Sequence, residues 1–324
     1  MSLKATIKRG ALVAAANWQV TLIQAVADSL FKMLIAVPIL GGALIGALVI
    51  GAEPGGLLSL EWRELLATIV SALLSQPFVL ASFLSALAVV TVGGSYLMFL
   101  IKGGTVATLV AGEQAAGVIE DAPLRLSTVA AAMKFSADSF IAACGSFFPR
   151  YARLGTLLMA VYLFSGAVYL ASVLVNLTEG WGGAALTTTA FVAWITIVNF
   201  LYLLTQIVMA ADDCGVGAAM RRVVVLLRGD GRRIASVFGV VLAIVVVTTG
   251  VSLLATAALG LIAFVPLFGL TVLPLQILAW VLRGVVFQYI GLTSVGAYVS
   301  LYRTAAVDRG SWVVDGAVHV NRAT

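Results

Sequence analysis

Long apolar runs separated by short polar stretches dominate the chain. A helix of roughly 20 residues crosses about 30 Å of hydrocarbon. Six stretches meet that demand, and they predict membrane-spanning helices at 33–51, 78–101, 155–176, 185–211, 236–258 and 280–302. The last two boundaries are the least sharply drawn. From Ile234 to Tyr302 the only charged residue is Arg283, and Gly260, Pro266, Gly269 and Pro274 punctuate the run. That run is too long for two simple spans. It has room for a re-entrant or interfacial segment, or for a third crossing that would move the C-terminus to the outer side.

Charge placement orients the spans. The 19 Lys and Arg residues alternate in density from one connecting segment to the next. Lys4, Lys8, Arg9 and Lys32 precede or open the first span, and only Arg63 follows it. Lys102, Arg125, Lys134, Arg150 and Arg153 surround the second connection, whereas the third, around Gly180 and Trp181, has none. The fourth carries Arg221, Arg222, Arg228, Arg232 and Arg233, the fifth none, and the tail Arg303, Arg309 and Arg322. Loops rich in Lys and Arg stay on the cytoplasmic side. The pattern therefore predicts six crossings, cytoplasmic termini and a cytoplasmic tail at 303–324. Such orientation fits a prokaryotic cytoplasmic (inner) membrane.

Basic amphipathic stretches at 4–32, 125–153 and 216–233 precede the three hairpins of spans. Each is expected to lie in the headgroup layer, apolar side down, with Lys and Arg reaching anionic lipid. The outer connection after the first span contains EWRELLATIVSALL, whose periodicity predicts a further interfacial helix. The terminal SWVVDGAVHVNRAT alternates apolar and polar residues like a short strand. The expected fold is thus all-α: a polytopic transmembrane helical bundle of about six spans with cytoplasmic interfacial amphipathic helices, forming one integral membrane domain over 1–324.

Composition agrees. Hydrophobic residues make up 62% of 324 positions and charged residues only 10%, where a soluble domain would be about a quarter charged. The net charge of +5 reads as membrane orientation rather than nucleic-acid binding. The basic N-terminus, MSLKATIKRG, resembles the start of a signal peptide. Asn17, Gln19, Gln24 and Asp28 interrupt the apolar region that would follow, so a retained segment is expected. Cys144 and Cys214 lie far apart beside predicted cytoplasmic segments, which argues against a structural disulfide.

The chemistry on offer is sparse. Thr196, Asn199, Tyr202, Gln206 and Asp213 recur at helical spacing on one face of the fourth span. They could line a substrate path or hold a polar headgroup, or simply hydrogen-bond neighbouring helices. Arg283 shares a face with Phe287 and lies 20 residues before Arg303, about 30 Å along a helix. It is either an intramembrane functional charge or a side chain reaching the outer interface. The candidate intramembrane polar site is therefore Asn199, Tyr202, Gln206 and Arg283. Asp212 and Asp213 could approach a divalent metal, but they read better as a helix end facing Arg221 and Arg222. Gly42 and Gly46 form a G-x-x-x-G pair suited to close helix approach. The single histidine, His319, leaves no haem pair, and there is no zinc-protease, nucleophile-elbow or phosphate-loop motif. No catalytic residue, metal or cofactor is expected.

The segments KGGTVATLVAGE, FSADSFIAACGSFFPRYARLG and QYIGLTSVGAYVSLYR resemble a group of uncharacterised six-helix prokaryotic membrane proteins. That group includes the membrane domain attached to some glycerophosphodiester phosphodiesterases. The resemblance implies architecture and no active site. The expected function is that of a non-enzymatic scaffold or subunit of a larger membrane assembly, with membrane lipids and protein partners and no nucleic acid. The alternative is a small transporter or lipid-handling permease.

Overall fold

The computed structural model describes residues 2–50, 75–117, 126–176, 181–263 and 269–308. The expected outer interfacial helix after the first span and the strand-like tail lie outside these residues. Among the described residues the chain forms eight helices and no strand. They are α1 (Leu3–Ala16), α2 (Trp18–Ile50), α3 (Pro77–Ala115), α4 (Leu126–Ala132), α5 (Ala137–Asn176), α6 (Trp181–Ala211), α7 (Val216–Ala263) and α8 (Gly269–Asp308).

Six of them, α2, α3, α5, α6, α7 and α8, are long and apolar enough to cross a membrane. The expected spans fall on these six in order. The helices are longer than the sequence pattern suggests, from 31 residues in α6 to 48 in α7. At about 1.5 Å per residue, even the shortest outruns a hydrocarbon layer of about 30 Å. The basic stretch at 125–153 falls on the short α4 and the first turns of α5, and that at 216–233 on the first turns of α7. In α7 the backbone leaves helical geometry at Asp230 (φ −121°, ψ 20°), which marks off the turns before it from the span proper.

The first stretch, 4–32, comprises α1 and the opening turns of α2. Ser2 caps α1, its hydroxyl accepting a bond from the Ala5 amide at 3.3 Å. Leu12, Val13, Ala14 and Ala16 are then buried, and α1 packs tightly on α8. A Cβ added to Gly10 would stand 2.3 Å from the Thr293 carbonyl oxygen and 2.6 Å from the Ala297 nitrogen. Gly296 answers from the other side, its hypothetical Cβ only 3.0 Å from the Gly10 Cα. Only two glycines allow backbones this close. The Tyr289 hydroxyl closes the contact by donating to the Ala11 carbonyl at 3.1 Å.

The chain divides into two compact units, Val26–Phe99 and the remainder. Within the smaller, α2 and α3 meet where glycines admit aromatic rings. A Cβ on Gly42 or on Gly94 would fall 2.3 Å from ring carbons of Phe83 and Phe31 respectively. Gly42 therefore receives a side chain here, where the G-x-x-x-G spacing suggested helix backbone.

In the larger unit, α3 approaches α5 through Gly104, whose added Cβ would meet the Cys144 sulfur at 2.6 Å and the Phe140 carbonyl oxygen at 2.9 Å. The α5–α6 pair is held by side-chain bonds at several levels. Tyr151 donates to the Gln206 carbonyl (2.9 Å), Tyr162 to Asn199 Oδ1, and Trp194 to Ser165 (2.9 Å). Tyr169 stacks on Phe191 at 4.3 Å. Such bonds give helices in lipid the specificity that hydrophobic burial cannot supply there, at about 1 kcal/mol each.

Candidate functional site

Polar chemistry gathers in three places within the larger unit: two ion-pair clusters at the end carrying Arg9, Arg150, Arg222 and Arg303, and a cleft within the spans.

The first cluster centres on Glu113, near the end of α3. Its carboxylate is 3% exposed and accepts from Arg9 Nε at 2.8 Å and from Arg303. Arg9 also donates to the Glu113 carbonyl at 3.0 Å and to the Gly117 carbonyl. Three helices (α1, α3 and α8) are thereby tied at one carboxylate. Beside it, Asn17 joins α1 to the α4–α5 connection with all its polar capacity in use. Its amide nitrogen donates to the Val13 and Ala132 carbonyls, both at 2.9 Å, while its oxygen accepts from the Lys134 and Phe135 amides at 3.0 and 3.1 Å.

The second cluster forms at the end of α6. Asp213 adopts a left-handed conformation (φ 47°), which Asp tolerates better than most side chains, and this turns the two carboxylates apart. Asp212 is nearly buried and accepts from Arg222 of α7 and from the Tyr302 hydroxyl of α8. Asp213 is exposed and pairs with Arg150 of α5. The helix-end reading of these acids therefore holds for Arg222, whereas Arg221 forms no ion pair with them. Burial pushes the neighbouring Cys214 thiol above its ordinary pKa, with Arg222 pulling the other way and Asp212 adding to the rise. Cys144 and Cys214 both carry free thiols. Among the described residues no group of His, Cys, Asp and Glu is placed to hold a metal.

The cleft lies between α6, α7 and α8, is open to the surface of the bundle and has a volume of about 280 Å³. Its walls are chiefly Phe200, Leu203, Phe238, Val241 and Tyr298. Phe200 packs edge-on against Phe238 at 5.1 Å and against Tyr298 at 5.6 Å, forming an aromatic cradle. Thr196, Asn199 and Ser294 supply its polar rim. Thr196 turns its hydroxyl back onto the Val192 carbonyl at 2.7 Å, which leaves Asn199 as the exposed amide of the site.

The residues singled out from the sequence separate accordingly. Asn199 lines the cleft. Tyr202 and Gln206 follow it along α6 but are buried, and neither the Tyr202 hydroxyl nor Gln206 Nε2 has a hydrogen-bond partner among the described residues. Lys102 of α3 stands over the Tyr202 ring at 5.4 Å. Arg283 stays apart: it is exposed, with its guanidinium 5.7 Å from the Phe287 ring. From Ser294 it is 11 residues away along α8, about 16 Å. Glu113, Tyr298 and Phe238 were not singled out. Glu113 carried one signal, an isolated carboxylate on a helical face shared with Thr105 and Thr108. No family model, curated protein or solved structure matches the chain.

Proposed function

We propose that this multi-pass membrane protein is a non-enzymatic component of a larger assembly in a prokaryotic inner membrane, with the basic end of its helices in the cytoplasm. The observation that carries this reading is an arginine row on the first turns of α7. Arg221, Arg228 and Arg232 are exposed and form no ion pair among the described residues, and exposed Val224 and Val225 lie between them. At 100° per residue, Arg221, Val225 and Arg228 share one face ahead of the kink at Asp230, and Arg232 follows just beyond it. Beneath the row, Ala219, Val223 and Leu226 are buried, and the two ion-pair clusters hold the neighbouring helix ends. A rigid base with an outward cationic and apolar strip suits docking of an acidic protein surface.

Purification of the tagged protein in mild detergent, followed by mass spectrometry, tests this. Stoichiometric protein partners are expected, and they are lost when Arg221, Arg228 and Arg232 are together replaced by Gln. Recovery of the wild type alone would overturn the reading. The cleft favours a second reading, a lipid-handling permease, in which Asn199 contributes to the substrate site.

A further inference from the structure

The cleft between α6, α7 and α8 presents a hydrogen-bond donor, the Asn199 amide, at a depth where the bilayer supplies no acceptor. Asn199 stands 12 residues before the end of α6 at Ala211, about 18 Å along its axis. That is near the middle of a layer about 30 Å thick. One of its amide protons goes to the Ile195 carbonyl at 3.0 Å, and its oxygen accepts from Tyr162. These partners fix the amide orientation, since a flipped group would set oxygen against the Ile195 carbonyl. The second amide proton makes no hydrogen bond among the described residues, and the side chain is exposed. Tyr298 contributes its ring to the lining, with its hydroxyl buried. That hydroxyl makes no aligned hydrogen bond, although the Ser294 hydroxyl one turn earlier is close. A donor left unsatisfied in hydrocarbon is costly, so an acceptor that reaches Asn199 binds with that cost relieved.

We infer that the cleft binds an uncharged apolar ligand bearing a carbonyl acceptor, seated on the Phe200–Phe238–Tyr298 cradle with its oxygen at Asn199. Depth selects against phospholipid. A charged headgroup holds its ester carbonyls near the interface, whereas a molecule without such a headgroup can place a carbonyl at mid-membrane. Isoprenoid quinones and neutral acylglycerols share this chemistry. The cleft volume of about 280 Å³ is near the lower limit of small-molecule sites, about 300–1,000 Å³, so it fits a ring or short chain segment rather than a whole lipid. This site is independent of the arginine row and of any protein partner.

The test is native mass spectrometry and equilibrium binding of the full chain in detergent, with three probes: a short-chain benzoquinone or naphthoquinone, a diacylglycerol and a phosphatidylglycerol of matched chain length. Saturable binding of the quinone or of the diacylglycerol is expected, and which one binds identifies the source. Asn199→Leu should weaken it about tenfold, the loss of one hydrogen bond of about 1.4 kcal/mol. Phe238→Trp, which fills the cleft without touching Asn199, should abolish it while the protein remains monodisperse. Phosphatidylglycerol binding as tightly as the neutral probes would overturn the inference. So would binding that survives both substitutions, or no binding of either neutral probe.

Discussion

Glu113→Gln isolates the charge at the centre of the first cluster. The substitution keeps the side-chain length and one acceptor oxygen, but Arg9 and Arg303 then face each other without a counter-charge. Both contacts are short, the Arg9 one at 2.8 Å, and the carboxylate is 3% exposed. With an effective dielectric constant of about 20, each pair at about 4 Å gains ~4 kcal/mol. Desolvation of three charged groups offsets much of that gain. The cost of removing one partner is larger than the net worth of the cluster, because buried charge is left uncompensated: about 3–5 kcal/mol. Chains of 150–250 residues shift by about 2–4 °C per kcal/mol, and a chain of 324 residues belongs at or below the lower end. The melting temperature in mild detergent, followed by tryptophan fluorescence, should therefore fall by roughly 6–10 °C. Replacing the whole cluster with apolar residues (Arg9→Met, Glu113→Leu, Arg303→Met) should recover most of the loss. A Glu113→Gln protein melting within about 1 °C of wild type would refute the reasoning, since an exposed pair contributes only about 0–1 kcal/mol.

Three further outcomes follow from contacts elsewhere. Gly10→Ala should lower the melting temperature and expose the N-terminal helix to protease, because its Cβ would press on the Thr293 carbonyl 2.3 Å away; Gly284→Ala, in open space on α8, should do neither. Asn17→Ala should remove hydrogen-exchange protection at the Lys134 and Phe135 amides, which lose their shared acceptor, at a cost of about 1–3 kcal/mol. In a Cys144→Ala background, alkylation of Cys214 should be slow at neutral pH and rise only at higher pH than for a free thiol, because burial disfavours the thiolate. An alkylation midpoint at or below about 8.5, the ordinary thiol value, would contradict that assignment.

The membrane-crossing cores were legible because hydrocarbon imposes one demand, apolar length, that any sequence must display. Charge alternation likewise anticipated that Arg9, Arg150, Arg222 and Arg303 would gather at one end. Helix extent was hidden for a physical reason. The apolar run of α3 stops at 101, yet the helix continues to Ala115 because Thr105, Thr108 and Glu113 are buried against protein. Polarity alone does not distinguish such a face from one leaving the membrane for water. The contacts that close the fold were also illegible, since Glu113 meets residues 104 positions before it and 190 after. Gly10 and Gly296 could be matched only once α1 lay on α8. Of the four candidate site residues, Asn199, Tyr202 and Gln206 followed from helical spacing on one element. Grouping Arg283 with them required the relation between two elements, and the structure holds it apart.

Sided cysteine labelling tests the architecture most directly. Single cysteines placed at 4, 138 and 221 in a cysteine-free protein, probed with an impermeant maleimide on intact cells and on inverted vesicles, should all react from the cytoplasmic side. Cysteines at 78 and 182 should react only from the opposite side. Labelling of 4, 138 and 221 from different faces would contradict both the six crossings and the shared basic end on which the functional reading stands.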